Sequence, residues 1–191
     1  TPISSHDMLF QIISLLLDVA TALLGGACLL RAWMQAQRVP FGNPLGRFVL
    51  ALSDWLVLPL RRLLRPKGRW DWACLVAAWI IEMGQYAILW TLAGAKAGPA
   101  ALPLLALFGV VRLAISTTMG LVLIYAILSW VRADSPLGDV VDRLCAPMLR
   151  PLRRLLPLVG GVDLSPLALL VGLQIASMVL TAVQHQVLMG W

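Results

Sequence analysis

Four stretches of this chain stay apolar over the thickness of a lipid bilayer, and that leaves few folds open to it. A membrane-crossing helix needs about 20 predominantly apolar residues. Met8–Leu30, Trp72–Leu92, Pro103–Val131 and Pro166–Val187 qualify. The first three carry one charge each, Asp18, Glu82 and Arg112, and the fourth carries none unless His185 is protonated. The chain is 60% hydrophobic and 13% charged, whereas soluble domains carry about 25% charged residues. The expectation is an all-α integral membrane protein, with residues 1–191 forming one membrane domain. The opening TPISSHDMLF lacks a basic region, so no cleaved signal peptide is expected.

The charges are not spread evenly. Arg31–Asp71 and Arg132–Asp163 hold 13 of the 15 lysines and arginines. Basic residues in short loops near span ends mark the cytoplasmic side. Both segments are therefore expected inside, and both termini outside. Ala93–Leu102, rich in Gly and Pro, reads as a tight turn between the second and third spans. Trp33, Trp70, Trp72, Trp90, Trp130 and Trp191 fall near span ends, where an apolar ring with a polar N–H is favoured, while Trp79 lies well inside a span. The net charge of +6 does not point to nucleic acid, because the basic segments are short, lipid-facing and without aromatic stacking residues in pattern.

The two basic segments are copies of one another at an offset of 92 residues. NPLG at Asn43–Gly46 meets SPLG at Ser135–Gly138, and PLRRLL occurs at Pro59–Leu64 and again at Pro151–Leu156. Gly68 meets Gly160, and Asp71 meets Asp163. From Pro44 to Asp71, 13 of 28 positions are identical without a gap, well beyond coincidence. The unit is span, basic segment, span. It occurs twice, over 8–92 and 103–187, and an even number of spans per unit makes the repeats parallel.

Asn43-Pro44 and Ser135-Pro136 read as helix N-caps followed by proline at the first helical position. Asp71, and Asp163 with Ser165-Pro166, should start the second span of each unit, and Gly160-Gly161 suits the turn before it. Leu137, Val140, Val141, Leu144, Met148, Leu152 and Leu155 recur at helical spacing, matched by Leu45, Phe48, Val49, Leu52, Leu56, Leu60 and Leu63. Neither run is long enough to span. Each is expected to be an amphipathic helix in the inner interface, over 44–64 and 136–156, bent at Pro59, Pro147 and Pro151. Arg61, Arg62, Arg150, Arg153 and Arg154 would then reach anionic phospholipid or a partner. Other membrane proteins or a second copy of the chain are the expected protein partners.

The second unit resembles a known family. ILSWV at Ile127–Val131, PMLRPLRRLLP at Pro147–Pro157 and GGVDLSP at Gly160–Pro166 are similar to the YggT (YlmG) family of small bacterial inner-membrane proteins, which has chloroplast relatives. The first unit departs from it at Lys67–Trp72, KGRWDW, which lacks the second Gly and the Ser-Pro. The resemblance implies an inner-membrane location and an accessory role. The family is linked with osmotic-stress tolerance and potassium supply, and its relatives with division, nucleoid organisation or cytochrome assembly. It supplies no catalytic residues.

Ionisable groups inside a span are costly and default to a functional hypothesis. At about 1.5 Å per residue, Asp18, Glu82 and Arg112 each lie roughly 15 Å from the outer end of their spans. Glu82 is the repeat partner of Gln174. A salt bridge from Arg112 to Asp18 or Glu82, completed by Gln174 and Gln85, is the structural expectation. The alternative is a small cation (potassium or proton) channel or transporter using those charges.

Cys28, Cys74 and Cys145 show no metal-ligand spacing and read as free thiols. His6 and His185 lie near the outer ends of their spans, and read as solvated rather than as a haem pair. No catalytic motif or phosphate loop is present, so neither an enzyme nor a metal or other cofactor is expected.

Overall fold

The computed structural model describes residues 5–64, 71–92, 94, 99–131, 136–155 and 163–189. Ser135, Gly160 and Gly161 lie outside the described residues. The chain is all-helical: α1 Ser5–Ala36, α2 Pro44–Leu63, α3 Trp72–Leu92, α4 Leu102–Val131, α5 Pro136–Leu155 and α6 Ser165–Met189. A single 3-10 turn, Pro99–Ala101, precedes α4. Four helices, α1, α3, α4 and α6, are long and apolar enough to cross a membrane.

α1 runs six residues further at its C-terminal end than hydropathy alone suggests. The first span was expected to end at Leu30, because Arg31 opens the basic segment. Instead the helix continues to Ala36 and buries Arg31 at 3% exposure. Arg31 Nη1 donates to Ser53 Oγ at 2.8 Å and to Asp54 Oδ1 at 2.7 Å, both on α2. α1 closes with Val39 N–H on the Met34 carbonyl and Arg38 N–H on the Gln35 carbonyl, at 2.9 and 3.1 Å. This is the Schellman arrangement, which requires a left-handed residue at its centre. Arg38 fills that place with φ 55°.

α2 starts as its sequence dictates. Asn43 Oδ1 accepts from Gly46 N–H at 2.7 Å, and Pro44 follows at the first helical position. Gly46 is required here, since a Cβ would lie 2.6 Å from the Phe41 backbone.

Two apolar clusters hold the bundle. Cys28, Ala32, Val57, Ala73, Cys74, Ala77 and Ala78 join α1, α2 and α3. Their small side chains let these helices approach closely, which is how helices associate where the surrounding lipid is itself apolar. Met34, Val39, Val49, Leu121, Val122, Val140, Val141, Leu144, Cys145 and Leu149 form the second cluster. It joins α1 and α2 to α4 and α5. Trp33 Nε1 adds a polar tie, donating to the Leu144 carbonyl of α5 at 3.1 Å. Trp79, the tryptophan inside a span, places its N–H on the Pro103 carbonyl at 3.3 Å. α6 packs on α4 and α5 and leaves Leu167, Val171, Ile175, Met178 and Val179 exposed. In a membrane protein such a face meets lipid.

Candidate functional site

The arginine pairs of α2 and α5 do not present two equivalent side chains. Successive helical residues diverge by about 100°, so one arginine of each pair faces an aspartate of its own chain and the other points away from it. Arg61 Nε donates to Asp71 Oδ2 at 2.8 Å, and its Nη2 reaches the same oxygen and Gln35 Oε1 of α1, the latter at 3.1 Å. Asp71 is fully buried. Its Oδ1 accepts from Ala73 N–H at 3.2 Å, capping α3. Arg153 and Asp163 repeat this design. Arg153 Nε donates to Asp163 Oδ2 at 2.9 Å, and Asp163 Oδ1 accepts from Ser165 N–H at 2.9 Å, at the start of α6. Arg153 also donates to the Tyr125 hydroxyl and stands 5.7 Å from its ring centroid. Each clasp ties a shorter helix, α2 or α5, to the start of the next long helix.

Burial works to raise the Asp163 carboxyl, but hydrogen bonds from Ser165 and the Arg153 guanidinium outweigh it and hold the group below the usual carboxylate range. Ser165 itself is buried, and its Oγ has no partner. The cap acceptor is the aspartate rather than the serine.

Arg61 and Arg153 were both expected on lipid or a partner. Both are instead held by carboxylates of their own chain. Arg62, Arg150 and Arg154 are exposed, and so is Arg143. Arg143, Pro147, Arg150 and Arg154 form one stripe of α5, opposite the buried Val141, Leu144, Cys145 and Leu149. The corresponding stripe of α2 is greasier: Phe48, Trp55 and Leu58 are 50–59% exposed, and Arg62 stands at its end.

The intramembrane charges meet in part. Asp18 of α1 accepts a hydrogen bond from Gln85 Nε2 of α3. Arg112 Nη2 of α4 donates to the Tyr86 hydroxyl of α3 at 3.1 Å. The salt bridge expected between Arg112 and Asp18 or Glu82 is not formed. The ion pairs among the described residues are Arg31–Asp54, Arg61–Asp71 and Arg153–Asp163. Tyr86 takes the guanidinium instead. Gln174, expected to join the group, is exposed on α6, because α6 packs chiefly on α4 and α5. Asp18, Thr21, Glu82, Gln85, Arg112 and Ser116 line a cleft of about 340 Å³ between α1, α3 and α4.

Cys28, Cys74 and Cys145 are all free and buried, the first two in one cluster and the third in the other. Among the described residues no group of His, Cys, Asp and Glu is arranged to hold a metal ion.

The sequence profile of the CCB3/YggT family matches residues 8–92 and again 104–184. An uncharacterized protein of Vibrio alginolyticus is 36% identical over 78% of this chain and 82% of its own length. The uncharacterized YggT of Escherichia coli K12 is 34% identical over 87% of each chain. An uncharacterized Pseudomonas aeruginosa protein is 35% identical over 78% of each. No solved structure matches the chain. With its profile matched over most of its length, and such relatives alongside, the chain belongs to the CCB3/YggT family.

Proposed function

We propose that this chain is a non-enzymatic accessory protein of a bacterial inner membrane. It supports the assembly or organisation of membrane complexes, or tolerance of osmotic stress, through the basic face of α5. The observation that carries this reading is the stripe of Arg143, Arg150 and Arg154, exposed on a helix whose opposite face is buried. Three guanidiniums on one surface suit phosphate oxygens or a partner's carboxylates, which accept bidentate hydrogen bonds. The first unit contributes differently. Phe48, Trp55 and Leu58 seat α2 in the interfacial layer of the bilayer, while α5 keeps its arginines at the headgroups.

The architecture is two parallel copies of span, interfacial helix, span, related by a pseudo-two-fold axis along the membrane normal. The double match to one family profile and the recurrence of the Arg–Asp clasp at one offset support it. With the basic helices on the cytoplasmic side, both termini lie outside.

The experiment is crosslinking of the full chain in native membranes, followed by mass spectrometry. A defined set of co-captured membrane proteins is expected, reduced at least tenfold by the Arg143→Glu/Arg150→Glu/Arg154→Glu variant at unchanged expression. Capture that is indifferent to this variant sinks the reading. Potassium flux from purified chain alone in liposomes would point to the ion-conducting alternative.

A further inference from the structure

The polar cleft between α1, α3 and α4 contains a group that the accessory role leaves unused. Glu82 is the middle residue of α3 and is 2% exposed. Its Oε2 is buried and has no hydrogen-bond partner. The carboxyl lies against bare backbone of α4: a Cβ built on Gly109 would fall 2.2 Å from Oε2 and 2.7 Å from Cδ. Glycine therefore leaves room for a carboxyl in the middle of a membrane span. The charged and titratable groups facing Glu82 are Asp18 from α1, Arg112 from α4 and Tyr86 from its own helix. α2 also packs on α3, but its Arg61 is engaged at the far end, with Asp71. The nearby partners are committed elsewhere, Gln85 to Asp18 and Arg112 to Tyr86.

With both acids ionised, Asp18, Glu82 and Arg112 sum to one negative charge. An unpaired carboxylate buried away from water costs several kcal/mol. One positive charge removes the excess. At Oε2 itself there is no accessible surface, so an alkali cation, which needs several oxygen ligands around it, has no place beside that atom. A proton does. The rest of the cleft, about 340 Å³, has the size and the polar lining to hold several waters. Water there gives a proton a route to the carboxyl.

We propose that this cleft is a proton-binding site within the membrane, with Glu82 as the residue that takes up and releases the proton. Uptake converts the Glu82 carboxylate to a carboxyl and cancels the net charge of the cleft. Release returns the proton to the cleft water. Asp18 and Arg112 are positioning residues, whose charges oppose and favour the ionised form of Glu82 respectively.

The test is infrared difference spectroscopy of the full chain in liposomes, titrated with pH. A carboxylic C=O band that appears and disappears reversibly is expected, with a single midpoint. Glu82→Gln should abolish it. Glu82→Asp should keep a band with a displaced midpoint, and Asp18→Asn should keep the band and move its midpoint. Helical circular dichroism checks that each variant folds. The inference is overturned by a wild-type protein without such a band, or by a band that survives Glu82→Gln. It is equally overturned if sodium or potassium, added at constant pH, removes the band, because the cleft would then be a metal-cation site. None of these readouts depends on the arginines of α5, so this proposal and the accessory role can fail separately.

Discussion

Arg61 and Arg153 hold the same station in two different helices: each grips the aspartate ten residues further on, Asp71 at 2.8 Å and Asp163 at 2.9 Å. The two clasps differ in depth. Asp71 is fully buried and Arg61 30% exposed, while Asp163 and Arg153 are 27% and 37% exposed. Removing one partner of a buried pair strands a charge and costs about 3–5 kcal/mol, whereas exposed pairs contribute about 0–1 kcal/mol. Arg61→Ala should therefore destabilise by about 3 kcal/mol, and Arg153→Ala by about 1 kcal/mol or less. Denaturation of both variants in one detergent measures the ranking. Equal losses would mean that burial does not set the strength of these clasps.

Asp163 supplies a pH dependence of known sign. Its folded carboxyl lies below the usual range, despite burial, because of Ser165 and Arg153. A depressed carboxylate adds stability above its unfolded value, about 3.9, and that stability is lost as pH falls through the folded value. Wild type and Asp163→Asn should thus differ in Tm at neutral pH. Below about pH 4 the two should converge. A constant difference down to strong acid would show that the charge of Asp163 is not what matters.

Much of this was legible in the chain itself. The bounds of α3 follow from its apolar run, and the start of α2 from Asn43-Pro44. What sequence reasoning missed was set through space. Hydropathy ends a span at a charge, but Arg31 stays in α1 because Ser53 and Asp54 of α2 meet it. Arg61 and Arg62 look alike in sequence, yet helix phase alone decides which one reaches Asp71. A signal was available: Arg and Asp stand ten residues apart both at Arg61 and Asp71 and at Arg153 and Asp163. Gln174 was drawn toward Glu82 by the 92-residue sequence offset, but matching positions at an offset does not place two residues in contact.

Burial pushes the Cys145 thiol up to about 12, with Asp142 adding to it and Arg153 opposing. Reactivity requires the thiolate, and at neutral pH almost none is present. Cys145 should resist maleimide in the folded protein and react once the chain is unfolded. Peptide mapping of the labelled protein reads this directly. Rapid labelling without loss of helicity would contradict the packing of α5 against α4.

Arg38 makes the last prediction, and it is one of gain. It holds the left-handed turn after α1 at φ 55°, a place where a Cβ is a liability. The hydrogen bonds that close α1 come from the backbone of Arg38 and Val39, so they survive loss of the side chain. Arg38→Gly should stabilise the protein by about 1 kcal/mol, less the entropy that glycine adds to the unfolded chain. Arg38→Val should destabilise it, because a β-branched side chain is excluded from this conformation. Paired melting curves decide the matter. If valine is tolerated as well as arginine, the turn is not held in the left-handed form, and α1 does not end where the hydrogen bonds place it.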